Sequence, residues 1–296
     1  MVVGSPPTVR RRQLGRELRK LREAAGFKAE QVALEVRCSP SRVSRIETAR
    51  VRITPGTVHE LLDVYRVEGA ERQRLVALAR QAQEAGWWQA HSDTLTWEYS
   101  TLIALEHDAS ELRTFESSVL PGLLQTEEYA RTVLRKTLLE QTPESAEEKL
   151  VVRLARQRIL TRAEDPVRLW AILDEAVLRR QVGGADVMGP QLRHLVQMAE
   201  LPNVQLQVLP FARGAYACNT GPFMLLSFAD GMDGDEPTGE PADSDVVYVE
   251  NEAGDIYVEK EPGVARYRMV FDNLRSDALT CAESTEWLAN LAAELP

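Results

Sequence analysis

Apolar side chains recur at helical spacing through the first 80 residues of the chain. Leu14, Leu18 and Leu21 follow one another at intervals of four and three residues, and Gly26 comes where such a helix would end. The same period returns at 29–36, 39–48, 57–65 and from residue 70 onward, with Thr57 as the expected cap of the fourth segment. Five short helices predict a compact all-α domain at residues 10–83, preceded by a disordered arm at 1–9.

The third of these segments carries the clearest signals for the start of a helix. Ser39 is a favoured N-cap residue and Pro40 a favoured first helical residue. Val43 and Ile46 then share one face, so the pattern predicts an amphipathic helix that ends near Thr48.

The period changes in the second part of the chain. Residues 84–98 show no helical repeat, and their three tryptophans are expected to pack at a domain junction rather than to stack on bases. Helices are predicted at 99–115, 126–139, 143–163, 174–181, 189–200, 263–274 and 277–295, and strands at 167–174, 203–210, 222–228, 245–250 and 255–259. In the second strand, Gln205 and Gln207 alternate with apolar residues and predict a solvent-facing side. Residues 229–245, acidic and rich in Gly and Pro, predict a mobile loop. The predicted fold is therefore an all-α N-terminal domain of five helices followed by an α+β domain at 99–296.

The charge distribution separates the same two regions. The net charge of −10 hides a basic part, with 17 Arg and Lys against 9 Asp and Glu in residues 1–80, and an acidic remainder with 18 against 36. Such asymmetry indicates a module that meets a polyanion, attached to one that a polyanion repels, although a chance distribution of surface charge stays open.

The second and third predicted helices, joined by a short connection, have the arrangement of a helix-turn-helix. An exposed face carrying Ser41, Arg42 and Arg45 could enter the major groove of DNA, where arginine binds guanine O6 and N7. An ordinary amphipathic surface helix is the alternative.

The segment "LRKLREAAGFKAEQVALEVRCSPSRVSRIETAR" (18–50) resembles the Xre-type helix-turn-helix of lambda-repressor relatives. The resemblance implies that Pro40, Ser41 and Arg45 face base edges, that Arg42 and Ser44 lie beside the DNA backbone, and that Arg22 and Glu47 form a structural ion pair. The complete implied DNA-binding set is Lys28, Arg37, Ser39, Pro40, Ser41, Arg42, Ser44, Arg45, Thr48 and Arg50.

Two positions depart from that family's pattern. Ala29 stands where relatives carry a phosphate-binding glutamine, so that contact is either absent or made by Lys28 or Gln31. Arg37 stands where the turn usually has glycine, so it either adopts a left-handed conformation or the turn has another shape. Arg37 could itself contact phosphate.

The second part of the chain resembles the C-terminal domain of actinobacterial antitoxin-like transcriptional regulators. "VLPGLLQTEEYAR" (119–131), "WAILDEAVLRRQVGG" (170–184) and "PNVQLQVLP" (202–210) carry this resemblance. It implies a domain that dimerises and receives a small cognate partner protein or a small-molecule effector. Leu120, Leu123 and Leu124 are expected either to pack in the core or to line a hydrophobic groove for such a partner.

Known catalytic motifs are missing from the sequence. Asp174 and Glu175 are expected to begin a helix, and 106–108 ("EHD") to be solvated or to cap a helix. Cys38, Cys218 and Cys281 fit neither a zinc spacing nor a disulfide framework, and neither a membrane span nor a secretory signal is evident. The sequence therefore predicts no enzyme, cofactor or metal site, and a cytoplasmic protein that is nucleoid-associated when bound to DNA.

The resulting hypothesis is a sequence-specific transcriptional regulator that binds a near-palindromic duplex operator as a homodimer. One alternative is an antitoxin-like interaction protein that sequesters a neighbouring small protein. A further alternative is an enzyme whose C-terminal domain is catalytic.

Overall fold

The computed structural model describes residues 9–49, 51, 53–82, 86–91, 94–137, 143–218, 221–228, 245–251 and 254–295. The chain divides into two compact units, residues 1–108 and 109–296. Three predicted features lie outside the described residues: the arm at 1–8, Arg50, and the acidic loop at 229–244.

The first unit is helical in the residues that the structure describes. Its helices are α1 (Val9–Ala24), α2 (Ala29–Glu35), α3 (Pro40–Glu47), α4 (Pro55–Tyr65), α5 (Gly69–Gln81) and α6 (Trp97–Asp108). Leu14 and Leu18 of α1, Val43 and Ile46 of α3, and Leu75 of α5 meet in one fully buried core. The five predicted helices and their apolar faces are therefore confirmed.

The start of α4 differs from the prediction. Thr54, and not Thr57, is the N-cap: its side chain accepts a hydrogen bond from the Thr57 backbone N–H at 3.2 Å, and Pro55 occupies the first turn. This is the same Ser/Thr-Pro signature that begins α3, so the sequence contained the signal three residues earlier.

The predicted junction at 84–98 is partly structured where it is described. Residues Trp87–His91 form a 3-10 helix, Trp88 is buried against the ring of His107 at 5.4 Å between centroids, and Trp97 begins α6. The expectation that 106–108 is solvated was wrong for Glu106, which is fully buried on α6.

The second unit is built around a six-stranded mixed sheet of the order β3-β2-β1-β4-β5-β6. Its strands are β1 (Glu111–Glu116), β2 (Arg168–Asp174), β3 (Val204–Leu209), β4 (Phe223–Ser227), β5 (Val246–Val249) and β6 (Ile256–Val258). Its helices are α7 (Glu127–Thr137), α8 (Pro143–Arg156), α9 (Glu175–Arg179), α10 (Ala185–Met198), α11 (Glu261–Asp277) and α12 (Cys281–Ala293). Strands β1, β2 and β3 are parallel, while β4, β5 and β6 continue the sheet in antiparallel fashion. The predicted α+β architecture is confirmed.

The central strand β1 was not predicted, because residues 99–115 had been assigned to one helix. The helix ends at Asp108, and β1 then pairs with β2 on one side and with β4 on the other. Leu112 on one face and Phe115 on the other are both fully buried. A strand buried on both faces lacks the polar–apolar alternation that identifies a half-exposed strand.

The outer edge of β3 is covered, which corrects the prediction for Gln207. The Leu279 N–H donates to the Val208 carbonyl, and the Val208 N–H donates to Ser284 Oγ, each at 2.9 Å. Gln207 is buried rather than solvated: it accepts from Trp170 Nε1 at 2.8 Å and donates to the Leu279 carbonyl at 2.7 Å. At Val208, the backbone groups at the edge of the sheet are therefore already paired within the chain.

The segment "LPGLLQT" (120–126) belongs to the core of the second unit. Leu120, Leu123 and Leu124 are all at most 2% exposed. Glutamine side chains satisfy its backbone: that of Gln157 donates to the Gly122 and Gln125 carbonyls, and that of Gln191 donates to the Leu124 carbonyl. Of the two expectations for these leucines, the structure supports core packing.

Candidate nucleic-acid interface

The connection between α2 and α3 is a tight Schellman turn with an arginine at its left-handed position. Arg37 has φ +51°, its N–H donates to the Leu34 carbonyl at 3.3 Å, and the Cys38 N–H donates to the Ala33 carbonyl at 2.9 Å. Arg37 therefore adopts the left-handed conformation that is usually adopted by a glycine at this position. The turn is short enough to hold the two helices as one helix-turn-helix unit.

Helix α3 begins as its sequence predicted. The Ser39 side chain accepts from the Arg42 N–H at 3.2 Å, and Pro40 occupies the first helical position. The Ser39 and Ser41 hydroxyls are 3.0 Å apart. Because the cap occupies the Arg42 amide, Ser41 provides the remaining amide at the tip of the helix for an anion.

The two faces of α3 have opposite character. Val43 and Ile46 are buried in the core, whereas the residues between them project into solvent. The exposed set contains Pro40, Ser41, Arg42, Ser44 and Arg45. A short exposed helix with small hydroxyl groups and two arginines matches the shape and donor pattern of the major groove.

Two side chains near this face donate hydrogen bonds to backbone carbonyls of α3 itself. Arg45 Nε donates to the Ser41 carbonyl at 3.2 Å, and the side chain is exposed. Thr48 Oγ1 donates to the Ser44 carbonyl at 2.8 Å. Arg45 can therefore rotate toward a base without losing a buried contact, while Thr48 is held beside the helix.

The start of α2 holds Lys28, another residue predicted to contact DNA. Lys28 is the exposed N-cap residue, and its backbone N–H donates to Gln31 Oε1 at 2.8 Å. Ala29 is half-buried and offers no polar group. Lys28 is thus the cation at the start of α2, whereas the Gln31 side chain accepts the hydrogen bond that caps the helix.

The ion pair implied by the family resemblance is present in the structure. Arg22 Nε and Nη2 donate to the two carboxylate oxygens of Glu47 at 2.6 and 3.0 Å, and Arg22 Nη1 donates to the Phe27 carbonyl at 2.9 Å. The two side chains are only 11% and 7% exposed. The hydrogen bond to Glu47 raises the pKa of Arg22 above its usual value. This bidentate pair ties the end of α1 to the end of α3 and so fixes how the recognition face is presented.

Sequence reasoning missed Gly15, which allows α1 to cross α3 closely. A Cβ at this position would lie 2.6 Å from the Glu47 carbonyl oxygen and 2.9 Å from that of Ile46. A glycine inside an otherwise apolar helical repeat was the available signal for such a close approach.

We expect Arg37→Gly to be more stable than Arg37→Ala by about 1 kcal/mol, because only alanine keeps the penalty of a Cβ at positive φ. Hydrogen exchange of the α2 and α3 amides measures this difference in unfolding free energy. Both variants remove the same charge, so they should show equal salt dependence of DNA binding. Equal stability of the two variants would contradict the strained turn.

The described part of the chain contains neither a metal-binding cluster nor a disulfide bond. There, no group of three His, Cys, Asp or Glu side chains could hold a metal ion, and Cys38, Cys218 and Cys281 form no disulfide bonds. Asp174 caps α9 by accepting from the Ala176 N–H at 2.8 Å, and Glu175 accepts from Arg179 and from the Phe211 N–H. Across the same residues, no helix is both long and apolar enough to span a bilayer.

The fold and the exposed face of α3 define the first unit as a helix-turn-helix domain of the kind found in DNA-binding regulators. A family model described as "Helix-turn-helix domain" matches residues 13–75. The chain belongs to the family described as "Domain of unknown function (DUF5753)", whose model matches residues 99–290. The matched region begins inside α6, whereas the compact units divide after Asp108. Helix α6 therefore lies mostly within the family match but belongs to the first compact unit. No curated protein and no solved structure matches the chain significantly.

Proposed function

We propose that this protein is a transcriptional regulator of the Xre type, in which α3 reads base edges in the major groove and the C-terminal unit receives a signal. The observation that carries the proposal is the exposed face of α3, where Ser41 and Arg45 project from a helix held by Val43 and Ile46. Arg45 serves as the guanine-reading residue, and Arg42 and Ser44 contact the flanking phosphates.

The charges of the two units support this division of labour. The first 80 residues are strongly basic and the rest is strongly acidic, so long-range attraction to DNA is concentrated on the helix-turn-helix. Lys28 and Arg37 lie at the two ends of α2 and add phosphate contacts beside the recognition helix.

The C-terminal unit is proposed to be regulatory rather than catalytic. The carboxylates of Asp174 and Glu175 at the end of β2 already cap α9 and hold the Phe211 backbone. We propose that this unit dimerises the chain and binds a small partner protein or effector. The protein would then act in the cytoplasm, on the nucleoid, with two copies of α3 about 34 Å apart on a near-palindromic site.

Selection from a random duplex library by the full-length protein tests this function. We expect two related half-sites in inverted order, with centres about one helical turn apart, as a two-fold dimer requires. Enrichment of a single half-site would support sequence-specific DNA binding but contradict binding as a two-fold dimer. Recovery of no enriched sequence would contradict the regulator.

A further inference from the structure

Two basic residues lie together on one face of α8 in the C-terminal unit. Lys149 and Arg153 are four residues apart, and both side chains are half-buried. Like charges at this spacing repel each other, and burial adds a desolvation penalty for each. Burial, and then the charge of Arg153, lower the pKa of Lys149 below its usual value. This pair therefore destabilises the unit unless an anion compensates it.

The protein supplies no such anion among the residues that the structure describes. Arg153 Nη1 donates to the neutral amide oxygen of Gln125 at 3.0 Å, and its Nε is buried with no hydrogen-bond partner in that part of the chain. There, too, no carboxylate oxygen lies within ion-pair distance of Lys149 or Arg153.

Two arginines of the neighbouring helix α7 do have acidic partners. Arg131 contacts the carboxylates of Glu127, Glu128 and Glu147, and Arg135 contacts Glu147 at 3.0 Å. On α7, acidic residues therefore accompany both the half-buried Arg131, whose side chain is 21% exposed, and the exposed Arg135. The half-buried cations of α8 lack them.

We propose that Lys149 and Arg153 form a binding site for the anionic group, phosphate or carboxylate, of a small-molecule effector. The two cations balance the charge of the anion, and the Lys149 ammonium and the Arg153 guanidinium donate to it. This inference rests on the proposed function, since it gives the signal-receiving unit a chemical class of ligand.

The test is titration of the full-length protein with inorganic phosphate and, separately, with acetate, followed by calorimetry in a buffer without other oxyanions. The variants are Lys149→Gln/Arg153→Gln, Lys149→Gln alone, and Arg135→Gln as a control that removes an exposed charge from α7. We expect wild type and the control to bind at least one of the anions equally. The α8 variants should weaken that binding about tenfold or more, as loss of a charged hydrogen bond implies. Preference for phosphate or acetate identifies which oxyanion the site takes.

Stability in the absence of anions provides a second readout. Lys149 makes no hydrogen bond or ion pair in the described structure, so Lys149→Gln should melt at the same or a higher temperature than wild type in anion-free buffer. Added anion should then raise the melting temperature of wild type and of Arg135→Gln, and not that of the α8 variants.

The inference is overturned if neither anion binds wild type, or if all variants bind the anions alike. DNA affinity without added anion separates this failure from that of the proposed function. Loss of anion binding with intact, sequence-specific DNA binding fits the proposed site. Intact anion binding in a wild-type protein that selects no DNA sequence would contradict only the regulator.

Discussion

Glu47→Ala is expected to lower the unfolding free energy of the helix-turn-helix unit by about 3 kcal/mol. The substitution leaves the Arg22 guanidinium, only 11% exposed, without the bidentate carboxylate that it contacts at 2.6 and 3.0 Å. An uncompensated charge at that depth is the reason that breaking one side of a buried pair costs more than the pair itself contributes. Hydrogen exchange of the α1–α5 amides, measured in the full chain, reports this local free energy.

Glu23→Ala is the matched control for that experiment. Glu23 contacts the same guanidinium, with Arg22 Nη2 at 3.3 Å from Glu23 Oε1, but its side chain is 52% exposed. An exposed pair of this kind contributes at most about 1 kcal/mol. The double variant Arg22→Met/Glu47→Leu should lose less stability than Glu47→Ala, because no charge remains to be buried. Equal losses for Glu47→Ala and Glu23→Ala would show that the pair does not link α1 to α3.

Arg45→Ala is expected to lower specific DNA affinity by about 1–3 kcal/mol, or about 5- to 150-fold, by removing a bidentate contact to guanine. The Arg45 side chain is exposed and makes one hydrogen bond, to the Ser41 carbonyl, so the fold should be unaffected. Fluorescence anisotropy with the selected operator and with a scrambled duplex measures the change. The loss should fall mainly on the operator, since the scrambled duplex is held by phosphate contacts.

Arg80→Ala removes the same charge from the exposed last turn of α5, outside the α2–α3 unit. We expect it to weaken both duplexes slightly and equally. If Arg45→Ala behaves like Arg80→Ala on the operator, then Arg45 contributes only general electrostatic attraction and does not read bases.

The sequence predicted the first unit well because its signals are local. Leu14 and Leu18, the Ser39-Pro40 start and the Val43 and Ile46 face are each determined within one or two helical turns. The close crossing at Gly15 was not predicted, because it depends on how α1 meets α3 in three dimensions. The conformation of Arg37 was left open for a related reason: the backbone of the turn, rather than the residue type, sets its positive φ.

The second unit was predicted less well, because its structure depends on contacts between residues that are distant in the chain. Strand β1 has Leu112 and Phe115 buried on opposite faces, so its apolar spacing continued that of α6 and predicted a helix. Gln207 looked solvent-facing because its partners, Trp170 and the Leu279 carbonyl, are distant in the chain. The sequence likewise could not predict that Lys149 and Arg153 of α8 are half-buried and have no carboxylate partner among the described residues, because both properties depend on the tertiary fold.

The central claim, that α3 reads base edges through Arg45, is tested most directly by a double-mutant cycle between protein and DNA. Each operator guanine is replaced in turn by 7-deazaguanine, which lacks the N7 acceptor, and binding is measured for wild type and Arg45→Ala. We predict one guanine at which the analogue weakens wild-type binding about tenfold and leaves the variant unchanged. Equal effects on both proteins at every guanine would contradict the claim.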